Sequence, residues 1–406
     1  MSDLAVELGG APLGVLSGAG AGFDLVPGPD AGGSAQNLSV ALPRGRETRA
    51  RRGARQGYFR ELLPEGASRV RLAELAGVAT HDVVGMLAAY GLDAPGAVQA
   101  RRPGERLVPR AEPLPDGHVG ELLAGAASHP LADVPPGGRS TLPGVQPKIV
   151  LTRTAGGWAR AVDGYPSTHI LKPAGPSTTI YDEEYGARLA RRLGLASFRT
   201  QIQEIGGVAA LVVERFDRAV SADGVVVRTH QEDFNQALGI PGDAKYQRSG
   251  GRASLARVAK VLTATAGDDA LRRLARRTVL TVAVGDLDMH TKNLALVHGC
   301  DGSVDLAPTY DVVPQAHRPG DGELALAVGG VYRHAAVTRA DLVAEIAGWG
   351  VRDARRLVDE TLTEILAAVA HEVPHPRAHA GLREDVTRFG GHLLAGASVG
   401  PAGRPT

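Results

Sequence analysis

Two aspartates and an asparagine constrain this chain more than any bulk property does. They lie in Gly285-Asp286-Leu287-Asp288-Met289-His290-Thr291-Lys292-Asn293 and, further on, in Thr309-Tyr310-Asp311. Asp288 and Asn293 stand five positions apart. Beyond them the sequence predicts a β-hairpin: Leu294 to His298 outward, a turn over Gly299 to Ser303, and Val304 to Leu306 back. A hairpin returns the chain to its origin, so Asn293 and Asp311 should end near each other. Phosphoryl transfer of the kinase type needs one carboxylate to accept a hydroxyl proton, and an Asn and a second Asp to hold Mg²⁺ on nucleotide phosphates. The Asp-x-x-x-x-Asn spacing is that of the kinase catalytic loop. The chain therefore reads as a kinase, with Asp288 as proton acceptor and Asn293 and Asp311 as Mg²⁺ ligands.

Asp286 competes for the first role, because Gly285-Asp286-Leu287 imitates the Gly-Asp-Leu of small-molecule kinases. The fifth residue after it is Thr291, a poor Mg²⁺ ligand, whereas the fifth after Asp288 is Asn293. Asp286 is expected instead to bond local backbone.

The 406 residues suffice for two or three domains, and 43% apolar content suffices for a packed core. Aromatics are only 4%, so that core must be built from Leu, Val, Ile and Ala. A net charge of +1 argues against a whole-protein nucleic-acid footprint. The single cysteine, Cys300, fits a reducing compartment. The N-terminus has no secretory pattern, and no apolar run of about 18 residues appears. A soluble cytoplasmic protein is the expectation.

Leu4 to Leu8, Gly9-Gly10 and Pro12 to Leu16 predict a hairpin. Helices are expected near 57–63 and 80–90, the second capped by Thr80. This subdomain covers 1–100, and a Pro-, Gly- and Arg-rich linker follows over 101–138, with a short helix near 119–127. Residues 139–217 read mainly as strands (148–152, 168–172, 200–205 and 209–215) around one helix, 181–193, closed by Gly194. Residues 218–406 read as helical apart from the hairpin after Asn293, with helices near 269–284, 339–348, 353–372 and 383–395. The fold class expected is α+β: a two-lobed kinase-like fold, strand-rich N-lobe before helical C-lobe, with an extra N-terminal α/β subdomain.

Lys172 ends an apolar strand and suits pairing with α- and β-phosphates, with Glu183 or Glu184 on the next helix to hold it. The loop Pro143-Gly144-Val145-Gln146-Pro147-Lys148 can bring backbone amides to phosphate oxygens, since Gly144 permits close approach. Glu214-Arg215-Phe216 ends the last strand of the first lobe, where backbone groups could meet adenine. His290 and Lys292 flank the Asp-Asn pair, and Lys292 could neutralise charge on the transferred group.

Three other patterns carry less. His371-Glu-Val-Pro-His375 imitates a zinc-protease motif, but Pro374 should end the helix that motif needs. Gly18-Ala-Gly-Ala-Gly22 lacks the dinucleotide spacing and reads as a turn. Arg44, Arg46, Arg49, Arg51, Arg52 and Arg55 read as a solvated basic face.

Taken together, several pieces resemble one family. They are Tyr58-Phe-Arg-Glu-Leu-Leu-Pro64, Thr141-Leu-Pro-Gly-Val-Gln-Pro-Lys148, Thr168-His-Ile-Leu-Lys172, Glu214-Arg-Phe-Asp217, Gln231-Glu-Asp233, Lys245-Tyr246, Asp288 to Asn293 and Leu306 to Asp311. Their order is similar to that of the HipA toxins, Ser/Thr protein kinases of bacterial type II toxin–antitoxin systems. The resemblance implies ATP and Mg²⁺ as cofactors and Asp288 as the proton acceptor. It implies metal ligation by Asn293 and Asp311, and ATP contacts at 143–148, Lys172, 214–216, His290, Lys292, Asn293, Tyr310 and Asp311. It implies a small helix-turn-helix (HipB-like) antitoxin partner, DNA contact only through that antitoxin, and a protein substrate such as an aminoacyl-tRNA synthetase, whose modification halts translation. It also implies self-inactivation by phosphorylation before the ATP loop, where Thr141 takes the matching position and Ser140 is the alternative. Two other functions stay open on residues alone: a small-molecule phosphotransferase of the same fold, and a non-catalytic co-repressor that clamps an antitoxin on DNA.

Overall fold

The computed structural model describes residues 3–20, 22–28, 36–43, 50–132, 139–221 and 223–400. The chain is α+β and divides into two compact units. The first comprises Met1–Pro173, Gln201–Glu232 and Val297–Ser303; the second comprises Ala174–Thr200, Asp233–Leu296 and Val304–Thr406.

The first unit opens with strands β1 (Leu4–Leu8), β2 (Ala11–Ser17), β3 (Asp24–Pro27) and β4 (Val98–Arg101), arranged β3-β2-β1-β4. The expected Gly9-Gly10 turn joins β1 to β2, both glycines at positive φ. Helices α1 (Arg52–Glu61), α2 (Gly66–Ala76) and α3 (Val83–Tyr90) complete this subdomain. Its core joins Leu4, Val6 and Leu16 of the sheet to Phe59, Leu72 and Met86 of the helices. The cap of α3 is Asp82, whose carboxylate accepts from Gly85 N–H, and not Thr80. Of the basic cluster, Arg44, Arg46 and Arg49 lie outside the described residues. Arg55 is not on a solvated face: it is buried and paired with Asp24 at 2.7 Å.

A six-stranded sheet follows, in the order β5-β7-β6-β8-β10-β9. It comprises β5 (Arg110–Pro113), β6 (Ile149–Thr154), β7 (Gly157–Val162), β8 (His169–Pro173), β9 (Thr200–Ile205) and β10 (Val208–Glu214). Helix α4 (Asp116–Ala124) packs Val119 and Leu123 onto Ile149, Leu171 and Val212. The stretch read as a linker thus supplies both β5 and α4. A short hairpin, β11 (Arg218–Val220) with β12 (Val226–Arg228), extends beyond β10.

The second unit contains α5 (Thr179–Arg192) and a helical assembly around α8 (Gly267–Val284). α8 is buried without break from Arg277 to Val284, so that end is enclosed by protein on every face, with Arg277, Thr278 and Thr281 as its buried polar residues. Packed on it are α7 (Leu255–Thr265), α9 (Arg339–Gly348), α10 (Ala354–His371) and α11 (Leu382–Leu394). The short α6 (Phe234–Leu238) carries a capping box of Asp233 and Gln236. α10 ends at His371, so the zinc-protease imitation has no continuous helix.

Strands β13 (His230–Asp233), β14 (Ala295–His298) and β15 (Val304–Leu306) form a small sheet, and β14 with β15 is the hairpin expected after Asn293. The second unit is less purely helical than the sequence suggested, because β16 (Glu323–Val328) and β17 (Val331–Arg333) form another hairpin. Among the described residues, no helix is long and apolar enough to cross a membrane.

Candidate functional site

α8 delivers the chain to the site in the second unit. It ends at Gly285, whose φ of 71° is a left-handed C-cap. A β-carbon there would stand 2.7 Å from the Ala316 side chain, so glycine is required twice over. The chain then turns through Asp286, fully buried, and Asp288, half-buried.

Asp286 bonds local backbone as expected: its Oδ1 accepts from Asp288 N–H at 3.2 Å. The rest of its environment was not legible in the sequence. Oδ2 meets the buried Arg277 guanidinium at 3.0 Å. Burial pushes the Asp286 carboxyl up to about 7, against the pull of Arg277 and with the help of Asp288 and Asp311. Three carboxylates therefore share one field.

Asn293 closes a single 3₁₀ turn over Thr291–Asn293. Its Nδ2 donates to the Asp288 carbonyl at 2.8 Å, which turns the amide oxygen, the end able to accept a cation, to the opposite side. The Tyr310 hydroxyl donates to the Lys292 carbonyl at 2.8 Å and so ties the segment before Asp311 to that same turn. Asp311 has φ of 50°, a left-handed conformation uncommon outside glycine and frequent at functional sites.

His290 is buried, and its ring meets Tyr246 edge-on at 5.3 Å. Lys292 is also buried rather than solvated. Its ammonium pairs with Asp233 at 3.2 Å, which joins the 288–293 turn to the cap of α6. Residues to which sequence reasoning gave no site role complete this region. Tyr246 donates to Asp288 Oδ1 at 3.0 Å. A cavity of about 490 Å³ opens beside Asp288, lined among others by Tyr246, Arg248, Gln315 and Arg318. Tyr246 stood in the family-like piece Lys245-Tyr246 without a role, and no local pattern pairs these positions with Asp288, beside which only tertiary folding brings them.

The remaining candidates lie in the first unit. Gly144 has φ of 109°, and a β-carbon on it would stand 2.7 Å from Lys148 Nζ. That ammonium reaches back to the Pro143 carbonyl at 3.1 Å. Val145 and Pro147 are exposed and Gln146 is half-buried. Lys172, on β8, is buried at 5% exposure. Glu214 and Phe216 are half-buried. Arg215 lies between them with every polar group engaged inside the unit. Its N–H donates to Thr168 O, its carbonyl accepts from Arg218 N–H, and its guanidinium pairs with Asp217 at 2.8 Å. Arg218 and Arg228 join the same buried network through Asp93.

Thr141 is fully buried, its hydroxyl donating to Leu62 O at 2.8 Å. The Ser140 hydroxyl, equally buried, donates to Asp93 at 3.1 Å.

The residues present fit a magnesium nucleotide. A hard divalent cation suits a carboxylate and an amide oxygen, and its charge would offset the repulsion that Asp288 and Asp311 add to the effect of burial on Asp286. In the first unit, an open glycine loop with a lysine at its end suits phosphate oxygens.

The chain is similar to several known proteins over most of its length. Residues 140–374 match the model of the HipA-like C-terminal domain, and residues 4–101 match that of the HipA N-terminal domain. The chain is 34% identical over 306 residues to Y4mE of Sinorhizobium fredii (strain NBRC 101917 / NGR234), covering 72% of each protein. It is 28% identical over 336 residues to the serine/threonine-protein kinase toxin HipA of Shewanella oneidensis, covering 78% of this chain and 76% of that one. Among solved structures, the Shewanella oneidensis MR-1 complex of HipA, HipB and operator DNA superposes with a TM-score of 0.79 at 25% identity, over 97% of this chain and 96% of that one.

Proposed function

Since the chain belongs to the HipA kinase family, we propose that it is an ATP- and Mg²⁺-dependent protein Ser/Thr kinase that acts as a growth-arresting toxin. The observation that carries this reading is the single turn from Asp288 to Asn293. There a half-buried carboxylate borders a cavity while an amide, turned by its own hydrogen bond, and the tethered Asp311 segment stand beside it.

In this reading Asp288 orients the acceptor alcohol and takes its proton. Asn293 and Asp311 hold the metal ion, and Lys172 with the Gly144 loop fixes the phosphates. Glu214, Arg215 and Phe216 face the adenine side, Arg215 only by its place in the chain. Bound Mg-ATP supplies the phosphoryl group and the charge neutralisation that its transfer needs. Lys292, held by Asp233, keeps the turn closed. The chain's lobes are then residues 139–217 and 218–406, after an N-terminal subdomain of 1–100.

The partner in this reading is a small HipB-like antitoxin with a helix-turn-helix fold, and DNA is reached only through it. The HipB named in the matched Shewanella complex supports that assignment. The acceptor is a translation protein such as an aminoacyl-tRNA synthetase. Thr141, in preference to Ser140, is the site of self-inactivation, and its burial means the segment must leave its seat first.

The test is expression of the wild type beside Asp288→Asn, with growth and the phosphoproteome followed together. Loss of the general base should lower transfer about 10²–10⁴-fold. New phosphoserine or phosphothreonine on a host protein, with growth arrest, both absent in Asp288→Asn, is the expected result. Equal toxicity and equal phosphorylation in both would overturn it, as would transfer to a sugar or other small molecule alone.

A further inference from the structure

Three segments of the second unit are laced by backbone hydrogen bonds into one short ladder. Gln247 N–H donates to Ala325 O at 3.0 Å, and Ala325 N–H donates to Leu287 O at 2.8 Å. The Gln247 side chain adds a bond from Ala327 N–H at 2.9 Å. On the other side, the Lys245 carbonyl accepts from the Thr291 hydroxyl at 3.2 Å. Tyr246 sits between these two anchored neighbours, as Asp288 sits next to the anchored Leu287.

The phenol is thereby delivered to the carboxylate. Tyr246 Oη donates to Asp288 Oδ1 at 3.0 Å. The ring is held edge-on to His290 at 80°, with the Lys245 ammonium 5.4 Å from its centroid. Tyr246 and Asp288 both line the cavity of about 490 Å³, together with Leu287, Gln315 and Leu324. That volume falls within the range of small-ligand pockets and admits a side chain with its flanking backbone.

A half-exposed aspartate turns freely about its side-chain torsions unless something holds it. General-base catalysis needs the carboxylate within about 2.6–3.2 Å of the proton it takes, and small misplacements of a reacting group are costly. The bond to Oδ1 restrains the plane of the carboxylate at the edge of the cavity. We propose that the cavity beside Asp288 receives the acceptor hydroxyl of a Ser- or Thr-bearing segment, and that Tyr246 is the positioning residue that orients Asp288 towards it. This rests on the reading of Asp288 as the base.

The experiment uses the intact chain and labelled Mg-ATP, with the proteins of a bacterial extract as acceptor and ATP varied at fixed extract. Wild type, Tyr246→Phe, Tyr246→Ala and Asp288→Asn are compared. Tyr246→Phe keeps the ring and removes only the donor. Its maximal rate should fall about tenfold to a hundredfold, the size expected for one hydrogen bond to a charged group, with the KM for ATP unchanged. Tyr246→Ala should fall little further. A Tyr246→Phe enzyme at the wild-type rate, or one impaired only through a raised KM for ATP, overturns the role of Tyr246. If Asp288→Asn is inactive in that case, the reading of Asp288 survives alone. If Asp288→Asn transfers phosphate normally, that reading fails first and this inference with it.

Discussion

His230 shows how far burial can hold a side chain from its ordinary chemistry. It is wholly buried, its Nε2 within 2.9 Å of the Leu38 carbonyl and its ring 5.0 Å from that of His298. Burial, then the neighbouring His298, pushes its pKa down to about 3, against the Leu38 bond and the charge of Asp217. Glu232 is the other charged group nearby, bonded to His298 at 3.0 Å. A base depressed in the folded state stabilises the fold above its unfolded pKa of about 6.5, and that stability is lost as pH falls towards 3. Between pH 7 and pH 5 this one group should cost about 2 kcal/mol. Urea midpoints at the two pH values should therefore differ more in the wild type than in His230→Gln. At this scale the sequence is a partial guide. Asp288 and Asn293 were legible because their spacing is local and the chemistry demands it. Asp286 was legible only in part, since its backbone bond is local but Arg277 reaches it from within α8. Tyr246 was invisible as a partner of Asp288, because nothing in a linear pattern marks a contact across that separation.

Helix α5 bears on Asp311 through a glycine. A β-carbon on Gly186 would stand 2.2 Å from the carbonyl oxygen of Val312, the residue after Asp311. The helix backbone and the Asp311 segment, proposed above to hold the metal ion, touch directly there. Gly186→Ala must push the two apart, and overpacking of this kind costs about 1–3 kcal/mol. The thermal midpoint should fall, and the Mg²⁺ concentration for half-maximal transfer should rise, because Asp311 moves with its neighbour. A variant with unaltered Mg²⁺ dependence would show that the segment is held elsewhere. Among elements, helices with a clear 3.6-residue period and a glycine stop were read to within a few residues, α5 and α8 through α11 included. Strand β5 was not, because Arg-Ala-Glu-Pro has no apolar alternation and is defined only by pairing with β7. The β16–β17 hairpin was missed for another reason: Glu323–Val328 is a continuous apolar run after its first residue, which periodicity cannot tell from a helix. The Thr80 cap yielded to Asp82, two residues on, since a carboxylate aligned with the Gly85 N–H decides the helix start.

At the scale of the molecule, the segment 139–142 is part of the first unit's interior. Arg139 O accepts from Asp93 N–H, Thr141 N–H donates to Asp93 O, and both hydroxyls are spent inside. A charge at position 141 has only a carbonyl to face. Thr141→Asp should therefore lower both the thermal midpoint and the affinity for ATP, the second because the adjoining Gly144 loop loses its anchor. Titration of a fluorescent nucleotide checks this, and unchanged binding would count against the proposed self-inactivation. The division into a strand-rich and a helical part could be read from pattern, while the routing of the chain between them could not. The first unit needs residues up to Pro173, then Gln201–Glu232, then Val297–Ser303. The last of these brings His298, which meets the buried Glu232 and receives Gln36 on its carbonyl. During synthesis, a chain emerging from the ribosome cannot finish its first unit until nearly half of the second has appeared. No single proteolytic cut separates one unit from the other. A chain cut short before Val297 therefore lacks the closing piece of its first unit and, with it, the whole segment that carries Asp311.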